Sequence, residues 1–345
     1  MKRWLLTAIV LTSFSVFALD FTITFDTPTG SAAQQTLTSL VNSELNSDLP
    51  DVSIAGFSEG VAASTYSAFA SQATDYADEP DLFMVKLTGG AAVQGGDLQD
   101  TDELQNADGF GAAGGLTLGL NGDVLPFKKL WFIEAKKLDL FLSFFSYGLD
   151  ETNDDTRIEG DISSFGLMGR YHWIDGVDIV PGKMVRWEGV HIHTGLQYAK
   201  MGIDVTTSFD DQTVKQSGST VATFSSTTAT VGIESTTWTI PIEISTAIRL
   251  AYAFSFYGGA GFDLVSSNAD IDLTAGGRFT GAGVFAGENG AITTSTDDSG
   301  SGDVTNFRAF AGAQINVPLF RVYVHYGRGL GNDTEAVHAG LKFVF

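Results

Sequence analysis

The stretch that decides the fold is AVHAGLKFVF, residues 336–345, at the end of the chain. Apolar residues stand at every second position back from Phe345 and Phe343, whereas the positions between them include Lys342 and His338. Successive side chains of a β-strand point to opposite faces. The segment therefore predicts a strand with one apolar face and one face that carries ionisable groups.

This alternation is what a membrane-spanning barrel strand requires, because one face meets hydrocarbon and the other meets a polar lumen. A terminal phenylalanine behind alternating apolar residues also resembles the closing strand of bacterial outer-membrane β-barrels. The resemblance implies an insertion signal, formed here by Leu341, Phe343 and Phe345, that the barrel-assembly machinery recognises. It also implies outer-membrane lipid and lipopolysaccharide as partners. The motif is short and identifies no narrower family.

The start of the chain is typical of a secretory signal peptide. Lys2 and Arg3 form a positive start, residues 4–17 are apolar, and Ala18 ends a cleavage site of small or apolar residues. The apolar run is shorter than the roughly 20 residues of a spanning helix. We therefore expect residues 1–18 to be removed from the exported protein.

The composition excludes several classes of protein. The net charge of −22, from 41 acidic and 19 basic residues, argues against nucleic acid as a partner. The absence of cysteine excludes disulfide scaffolds and thiol chemistry. No later segment has the run of roughly 18 apolar residues expected of a helical inner-membrane protein. Because only helices and closed barrels satisfy their backbone in lipid, an exported chain of amphipathic strands is either a soluble β-protein or an outer-membrane barrel.

Residues 19–80 differ in pattern from the rest of the chain. Apolar residues recur at three- and four-residue spacing over residues 31–49, which predicts an amphipathic helix. A second helix is expected from Ser58 to about Ala73, and an Asp-rich break follows. The segment could plug the barrel, cap its periplasmic mouth or form a periplasmic arm, and the sequence does not choose among these.

From residue 81 onward the pattern predicts strands only, so residues 81–345 are expected to form an all-β, antiparallel up-and-down barrel. An even number of strands is expected of such barrels. Residues 269–302 could hide a further hairpin, which makes twelve strands the alternative to ten. The ten predicted strands are 82–93, 109–121, 137–149, 158–174, 188–207, 227–248, 252–268, 303–317, 320–330 and 335–345.

The connections between these strands support the assignment. If Phe345 lies on the periplasmic side, the connections alternate between the two sides of the membrane, and every outward one is acidic. The outward connections are 97–108, 150–156, 209–212, 269–302 and 331–335, and the inward ones are 122–136, 175–188, 249–250 and 318–319. Long outer loops and short periplasmic turns are typical of barrels in the bacterial outer membrane, where we expect this protein.

Placing the more apolar face of each strand in lipid turns the ionisable residues toward the lumen. Arg or Lys on the lipid face costs about 2–4 kcal/mol at the bilayer midplane, so this sorting is expected of a membrane barrel. On strand 137–149, Phe141, Phe145 and Tyr147 share the inward side with Asp139, which indicates an internal apolar patch, contact with the N-terminal helix or a different register. The predicted lumen-lining residues are Lys86, Arg170, His172, His191, His193, Gln197, Glu243, Asp263, Arg308, His325, His338 and Lys342.

No motif predicts catalysis or a resident cofactor. The sequence contains no serine-nucleophile elbow, phosphate loop or HExxH motif. Ten-stranded outer-membrane proteases resemble the chain in strand number and use carboxylates opposite an Asp–His pair, but only His338 lies near the outer end of a strand here. His191 and His193 could bind a metal with His172 or another lumenal group, but we favour a polar lining that is hydrogen-bonded to its neighbours. We expect no enzyme, no cofactor and no metal site.

Two classes of function remain, passage and display. About eight strands give a filled interior and about 16–18 an aqueous channel, so ten strands allow a narrow porin or channel for small solutes, which is our first prediction. An excess of basic lumenal residues would favour anions. The alternatives are a structural or adhesive protein that displays acidic outer loops, and a transporter of hydrophobic compounds with an N-terminal plug, by architectural similarity alone. Each is compatible with a homo-oligomer.

Overall fold

A computed structural model of the chain describes residues 22–48, 57–77, 82–96, 98, 107–126, 128–130, 133–153, 155–180, 184–216, 219–317 and 319–345. The expected signal peptide, residues 1–18, lies outside the described residues. Across the described ranges, the helices are too short or too polar to cross a membrane.

The described part of the chain starts with a short strand and two helices, and its remaining described residues lie almost entirely in strands. The helices are α1 (Ala32–Asp48) and α2 (Phe57–Phe69). The strands are β1 (Thr22–Phe25), β2 (Phe83–Gln94), β3 (Gly109–Asn121), β4 (Lys129–Leu130), β5 (Ile133–Glu134), β6 (Leu138–Asn153), β7 (Thr156–Val180), β8 (Val185–Phe209), β9 (Gln212–Gln216), β10 (Ser219–Leu250), β11 (Phe254–Gly281), β12 (Asn289–Ser301), β13 (Thr305–Asn316), β14 (Arg321–Gly329) and β15 (Thr334–Val344). Single 3-10 turns lie at Gly122–Val124, Ala135–Lys137 and Gly283–Phe285.

Ten of these strands close into an antiparallel ring, as the sequence predicted. The order is β2-β3-β6-β7-β8-β10-β11-β13-β14-β15, and β15 pairs back onto β2. The region 269–302 does hold an additional strand, β12, but it does not enter the ring. It pairs with the far end of β11, beyond the part of β11 that pairs with β13, because β11 continues to Gly281 past the rim.

The C-terminal phenylalanine marks one end of the ring. The Phe345 carbonyl accepts hydrogen bonds from the backbone N–H groups of Leu82 (2.7 Å) and Phe83 (3.1 Å), and the rings of Phe83 and Phe345 stack at 4.9 Å. The tight turn at 251–253 and the adjoining ends of β13 and β14 lie at this same end. Short turns are typical of the periplasmic end of such barrels, so Phe345 lies at the periplasmic rim.

Several strands are longer than the sequence pattern predicted. The predicted strands 227–248 and 252–268 are 32 and 28 residues long in the structure, whereas crossing a membrane takes about 9–11 residues. Residues 175–188, expected to be a connection, mostly extend β7 and β8 as a hairpin below the rim. At the outer ends of β10 and β11 the prediction stopped too early because Thr, Ser and Gly interrupt the apolar alternation, although pairing with neighbouring strands continues.

The lower part of the ring has an apolar outer surface. On β10, Trp238, Ile240, Ile242 and Ile244 are exposed, while Glu243 between them is buried. The same alternation runs around the ring, from Phe83 and Leu87 to Leu341 and Phe343, and it forms the lipid belt. Apolar outer and polar inner faces are the arrangement that a bilayer requires. The protein is therefore a transmembrane β-barrel of the bacterial outer membrane.

Above the lipid belt the polarity of the same strands is reversed. On β10, Ile233 is buried and Glu234 is exposed. Met201 on β8 and Ile271 on β11 are buried at the same height, with Lys200 and Asp270 beside them turned away from the interior. We call this region, residues 199–209, 219–236, 266–281 and 289–301, the outer wall. It is a sheet that stands above one side of the ring, with water instead of lipid on its outer face.

Candidate functional site

The lumen of the ring is occupied by residues 57–77, which we call the lumenal segment. It consists of α2 and the eight residues after it, and Ser58 and residues 60–77 are all buried. A helix with every side buried needs contacts all round, and α2 packs against strands on opposite sides of the ring, including β3, β10, β11 and β15. The lumen is therefore filled by the chain's own N-terminal part.

The lumenal segment runs from the outer end of the ring toward the periplasmic end. Its first residues lie beside the outer wall, where the Ser58 hydroxyl donates to Asp298 at 2.6 Å. Three contacts then descend along β15: Ser67 Oγ to Thr334 Oγ1 (3.0 Å), Ala68 O to His338 Nε2 (2.7 Å), and Asp75 Oδ2 to Lys342 Nζ (2.5 Å). Residue 82, a few residues further on, is already at the periplasmic rim.

Glycines on β3 allow α2 to lie directly against the inner side of the ring. A Cβ atom on Gly109 would lie 2.0 Å from the carbonyl carbon of Gly60, and one on Gly111 would lie 2.5 Å from the carbonyl oxygen of Ser64. Only glycine permits such close approach of two backbones. The run GFGAAGG at 109–115 therefore forms the smooth inner surface on which the helix rests.

Below α2, side chains of the ring donate hydrogen bonds to backbone carbonyls of the lumenal segment that lie beyond the end of the helix. Thr117 Oγ1 donates to the carbonyl of Gln72 at 3.1 Å, and Arg170 Nη1 donates to the carbonyl of Asp75 at 2.8 Å. Lys86 donates to the carbonyl of Thr74. Buried carbonyls need such partners, and cations beyond the C-terminal end of α2 also oppose its negative dipole end. The polar lining is thus complementary to this segment.

One buried ion cluster is centred on Arg308. Its Nε donates to Asp263 at 2.7 Å, its Nη1 to the Ser71 hydroxyl at 2.6 Å, and its Nη2 to Glu243. The Tyr76 hydroxyl donates to the same Glu243 carboxylate at 2.7 Å. Buried charges persist when they are paired and hydrogen-bonded, and here two of the hydrogen bonds come from the lumenal segment.

A second cluster lies nearer the periplasmic rim. Arg170 and His172 both contact Asp139, at 2.6 Å each. Across the closing seam of the ring, Lys86 and Lys342 are directly opposite each other and both are buried. Like charges in that position repel, and the Asp75 carboxylate at 2.5 Å from Lys342 places a negative charge at the seam.

The upper end of the segment is held by apolar contacts instead. Val61 and Ala62 pack in one cluster with Met201, Ile233 and Ile271 of the outer wall. Ser267 Oγ adds a hydrogen bond to the Ala62 carbonyl at 2.9 Å. The change from ionic to apolar contacts along one segment follows the reversal of polarity in the strands around it.

All twelve side chains that the sequence analysis assigned to the lumen are buried inside the ring. The structure brings most of them onto the lumenal segment or onto each other. Besides the ion clusters, His193 is hydrogen-bonded to Thr74 (3.0 Å) and Ser245 (2.8 Å), the rings of His172 and His191 meet at 4.7 Å, His325 stacks on Tyr76 at 5.5 Å, and Gln197 Nε2 lies 3.5 Å from Met168 Sδ. The residues assigned to the insertion signal, Leu341, Phe343 and Phe345, are exposed on the lipid side.

The sequence analysis missed the partners on the lumenal segment, above all Ser71, Asp75 and Tyr76. Asp75 was assigned to an Asp-rich break, because an acid that pairs with buried lysine looks the same in sequence as one in a linker. Phe141, left with three explanations, packs against Ala73 of the segment, and its ring lies 5.4 Å from the Arg170 guanidinium. Contact with the N-terminal part therefore explains the apolar side chain inside.

The cavities found between the described residues of the lumenal segment and the ring are small. Two cavities between the segment and the ring hold about 10 Å³ each, and one of them is lined by Asp75, Tyr76 and Lys86. About 10–15 Å³ accommodates one water molecule. Within the described ranges, no group of three or more His, Asp or Glu residues is arranged to hold a metal ion.

Comparison with known proteins places the chain in a family. A family model described as Lsa36-like matches residues 17–345. No curated protein matches the chain. Among solved structures, the outer membrane protease OmpT from Escherichia coli is 11% identical with a TM-score of 0.36, over 79% of this chain and 99% of that chain. The translocator domain of the autotransporter NalP from Neisseria meningitidis is 8% identical with a TM-score of 0.30, over 76% of this chain and 88% of that chain. Such low values support no conclusion about activity.

Proposed function

The chain belongs to the Lsa36-like family, and we propose that it is a closed barrel that anchors the outer wall in the outer membrane and displays it at the cell surface. In this proposal the lumenal segment is a permanent plug. The function is structural or adhesive rather than enzymatic. Outer-membrane lipid and lipopolysaccharide surround the belt, and the barrel-assembly machinery inserts it.

The observation that carries the proposal is the filled lumen. The two cavities between the lumenal segment and the ring hold about 10 Å³ each, which is space for about one water molecule. The lumenal segment is also bound too specifically to be a loose gate, since Ser71, Asp75 and Tyr76 all bond to charged groups of the ring. Moving it would leave Lys86 facing Lys342 across the closing seam.

The outer wall gives the second support. β10 is 32 residues long, about three times the 9–11 residues that cross a membrane. The additional length makes an ordered sheet outside the bilayer, where a membrane channel would need only loops. Its outer face is acidic, with Glu234 opposite Asp270 and Asp272 opposite Asp297 on neighbouring strands.

The narrow channel predicted from the strand number stays a hypothesis. One experiment distinguishes it from the proposed display function. The wild-type protein and Gly111→Leu are inserted into planar lipid bilayers, and single-channel current is recorded. We expect no conductance steps from the wild type. Because a Cβ on Gly111 would collide with the backbone of Ser64, the variant should displace α2 and conduct.

Gly89→Leu is the matched control, because Gly89 is exposed on the lipid side and nothing lies within 4 Å of its Cβ position. It should stay silent like the wild type. With the segment displaced, Lys86, Arg170, Arg308 and Lys342 outnumber Asp139, Glu243 and Asp263 in the lumen, so the current through Gly111→Leu should be carried mainly by anions. Steady conductance of the wild type would overturn the display proposal in favour of a channel.

A further inference from the structure

We infer that the chain before α2 passes through its own barrel, so that residues 22–48 lie on the cell-surface side of the outer membrane. An even number of strands places both ends of a barrel on the periplasmic side. The lumenal segment adds one more crossing, which moves the N-terminal end outside. This inference goes beyond display of the outer wall, but it rests on the same orientation of the barrel.

The first observation is the docking of β1 on the outer wall. β1 pairs antiparallel with β12, with Ile23 opposite Ile292. Asp26 forms an ion pair with Arg278 of β11 at 2.5 Å. These wall residues lie far above the lipid belt, on parts of β11 and β12 that have left the ring. The N-terminal strand therefore belongs to the sheet at its outermost part.

The second observation is the packing of α1 on the same place. Leu37 is fully buried in a cluster with Phe224 and Phe279 of the outer wall and with Phe285 of the turn between β11 and β12. Gln34 Nε2 donates to Glu288 at 2.7 Å. Without α1 these phenylalanines would form an exposed apolar patch, which soluble surfaces avoid. α1 therefore covers the apolar surface at the outermost end of the outer wall. The outer wall and α1 must then lie on the same side of the membrane.

The third observation is the direction of the lumenal segment. Ser58 contacts β12 of the wall, Ser67 contacts the outer end of β15, and Asp75 contacts Lys342 near the periplasmic rim. The ring around the segment is closed by hydrogen bonds between β15 and β2. The two ends of residues 57–77 therefore lie on opposite sides of the membrane, and whatever precedes Phe57 must cross during assembly.

Cysteine labelling on intact cells tests this topology. The chain has no cysteine, so each variant carries a single thiol. Ser39→Cys lies on the exposed side of α1, Ser295→Cys on the outer wall, and Lys136→Cys in the periplasmic connection between β3 and β6. A polyethylene-glycol maleimide too large for the outer membrane is added to cells, and labelling is read as a mass shift on a gel.

We expect Ser39→Cys and Ser295→Cys to be labelled on intact cells at similar rates, and Lys136→Cys to be labelled only after the outer membrane is permeabilised. If Ser295→Cys reacts on intact cells but Ser39→Cys needs permeabilisation, the N-terminal part is periplasmic and the inference is wrong, while display of the wall stands. If Lys136→Cys reacts and Ser295→Cys does not, the orientation is inverted and both proposals fail. Gln35→Cys, also exposed on α1, replaces Ser39→Cys if that variant does not show the heat-dependent gel mobility of a folded barrel.

Discussion

The lower and upper halves of β10 have the same backbone and opposite chemistry. In the lipid belt, Ile242 points outward and Glu243 inward, whereas in the outer wall Glu234 points outward and Ile233 inward. The strand keeps its hydrogen-bonded register with β11 through this change. The comparison teaches that the medium outside each half sets the side-chain pattern, because lipid requires an apolar outer face and water a polar one.

The same boundary divides the ways in which the lumenal segment is held. Below it, ionic and hydrogen-bonded contacts to Arg308 and Lys342 dominate, and above it Val61 packs among aliphatic side chains. On the outer surface, Trp238 lies against Tyr198 at 4.7 Å, close to the height at which the pattern reverses. Aromatic side chains are favoured at membrane interfaces, so this pair marks the outer edge of the bilayer.

The largest effect is expected from Arg308→Met in the lower half. The substitution leaves Asp263 and Glu243 buried without their cation. Removing one partner of a buried ion pair typically costs about 3–5 kcal/mol. The free energy of unfolding, measured by urea titration of vesicle-inserted protein with tryptophan fluorescence, should fall by that amount.

Two controls separate the charge from the loss of a long side chain. Arg157→Met removes an exposed arginine on β7 whose partners Asp150 and Glu159 are also exposed, and it should leave the transition unchanged. The triple variant Arg308→Met, Glu243→Gln, Asp263→Asn removes the whole charge set and should regain most of the lost stability. Equal losses in the single and triple variants would mean that packing, not charge, holds the lower half.

The second effect is expected from arginine on the two outer faces of β10. Ile242→Arg places the guanidinium in lipid, which costs about 2–4 kcal/mol near the midplane. Glu234→Arg places it in water opposite Asp270, where no loss is expected. The same urea titration measures both variants. Similar losses at the two positions would put the upper half in the membrane and remove the distinction between belt and wall.

The fold could be predicted from sequence where the outer face of a whole strand lies in lipid. The closing strand, the ring of ten and the inward parity of residues such as Arg170 and His193 all follow from alternation in the belt. Above the belt, the apolar residues of β10 change from even-numbered positions, such as Ile240 and Ile242, to odd-numbered positions, Val231 and Ile233. The Thr and Ser residues between them hide this change in the sequence. A search for strands with one fixed apolar face therefore ends where the membrane ends.

The contacts of the lumenal segment were harder to predict from sequence, because they join distant parts of the chain. α2, FSEGVAASTYSAF, has small or apolar residues on every side, and a helix of that kind is buried all round. The sequence analysis did not use this signal and left the lumen and the two periplasmic alternatives open. That Asp75 meets Lys342, or that Tyr76 meets Glu243, depends on where the segment stops in the ring, which no local pattern specifies.

The smallest effect is expected where the two halves meet, at Ser267. Its hydroxyl donates to the Ala62 carbonyl at 2.9 Å and lies 2.8 Å from the Thr237 hydroxyl, so it joins the top of the lumenal segment to two strands. Ser267→Ala should lower the free energy of unfolding by about 1 kcal/mol, the usual net value of one hydrogen bond. Ser266→Ala, at the exposed neighbouring position, should have no effect.

Amide hydrogen exchange sharpens the test, because Ser267→Ala should speed exchange in α2 and leave β15 unchanged. Faster exchange in both would mean that the segment and the ring open together, and that the boundary divides the surface pattern but not the stability of the protein.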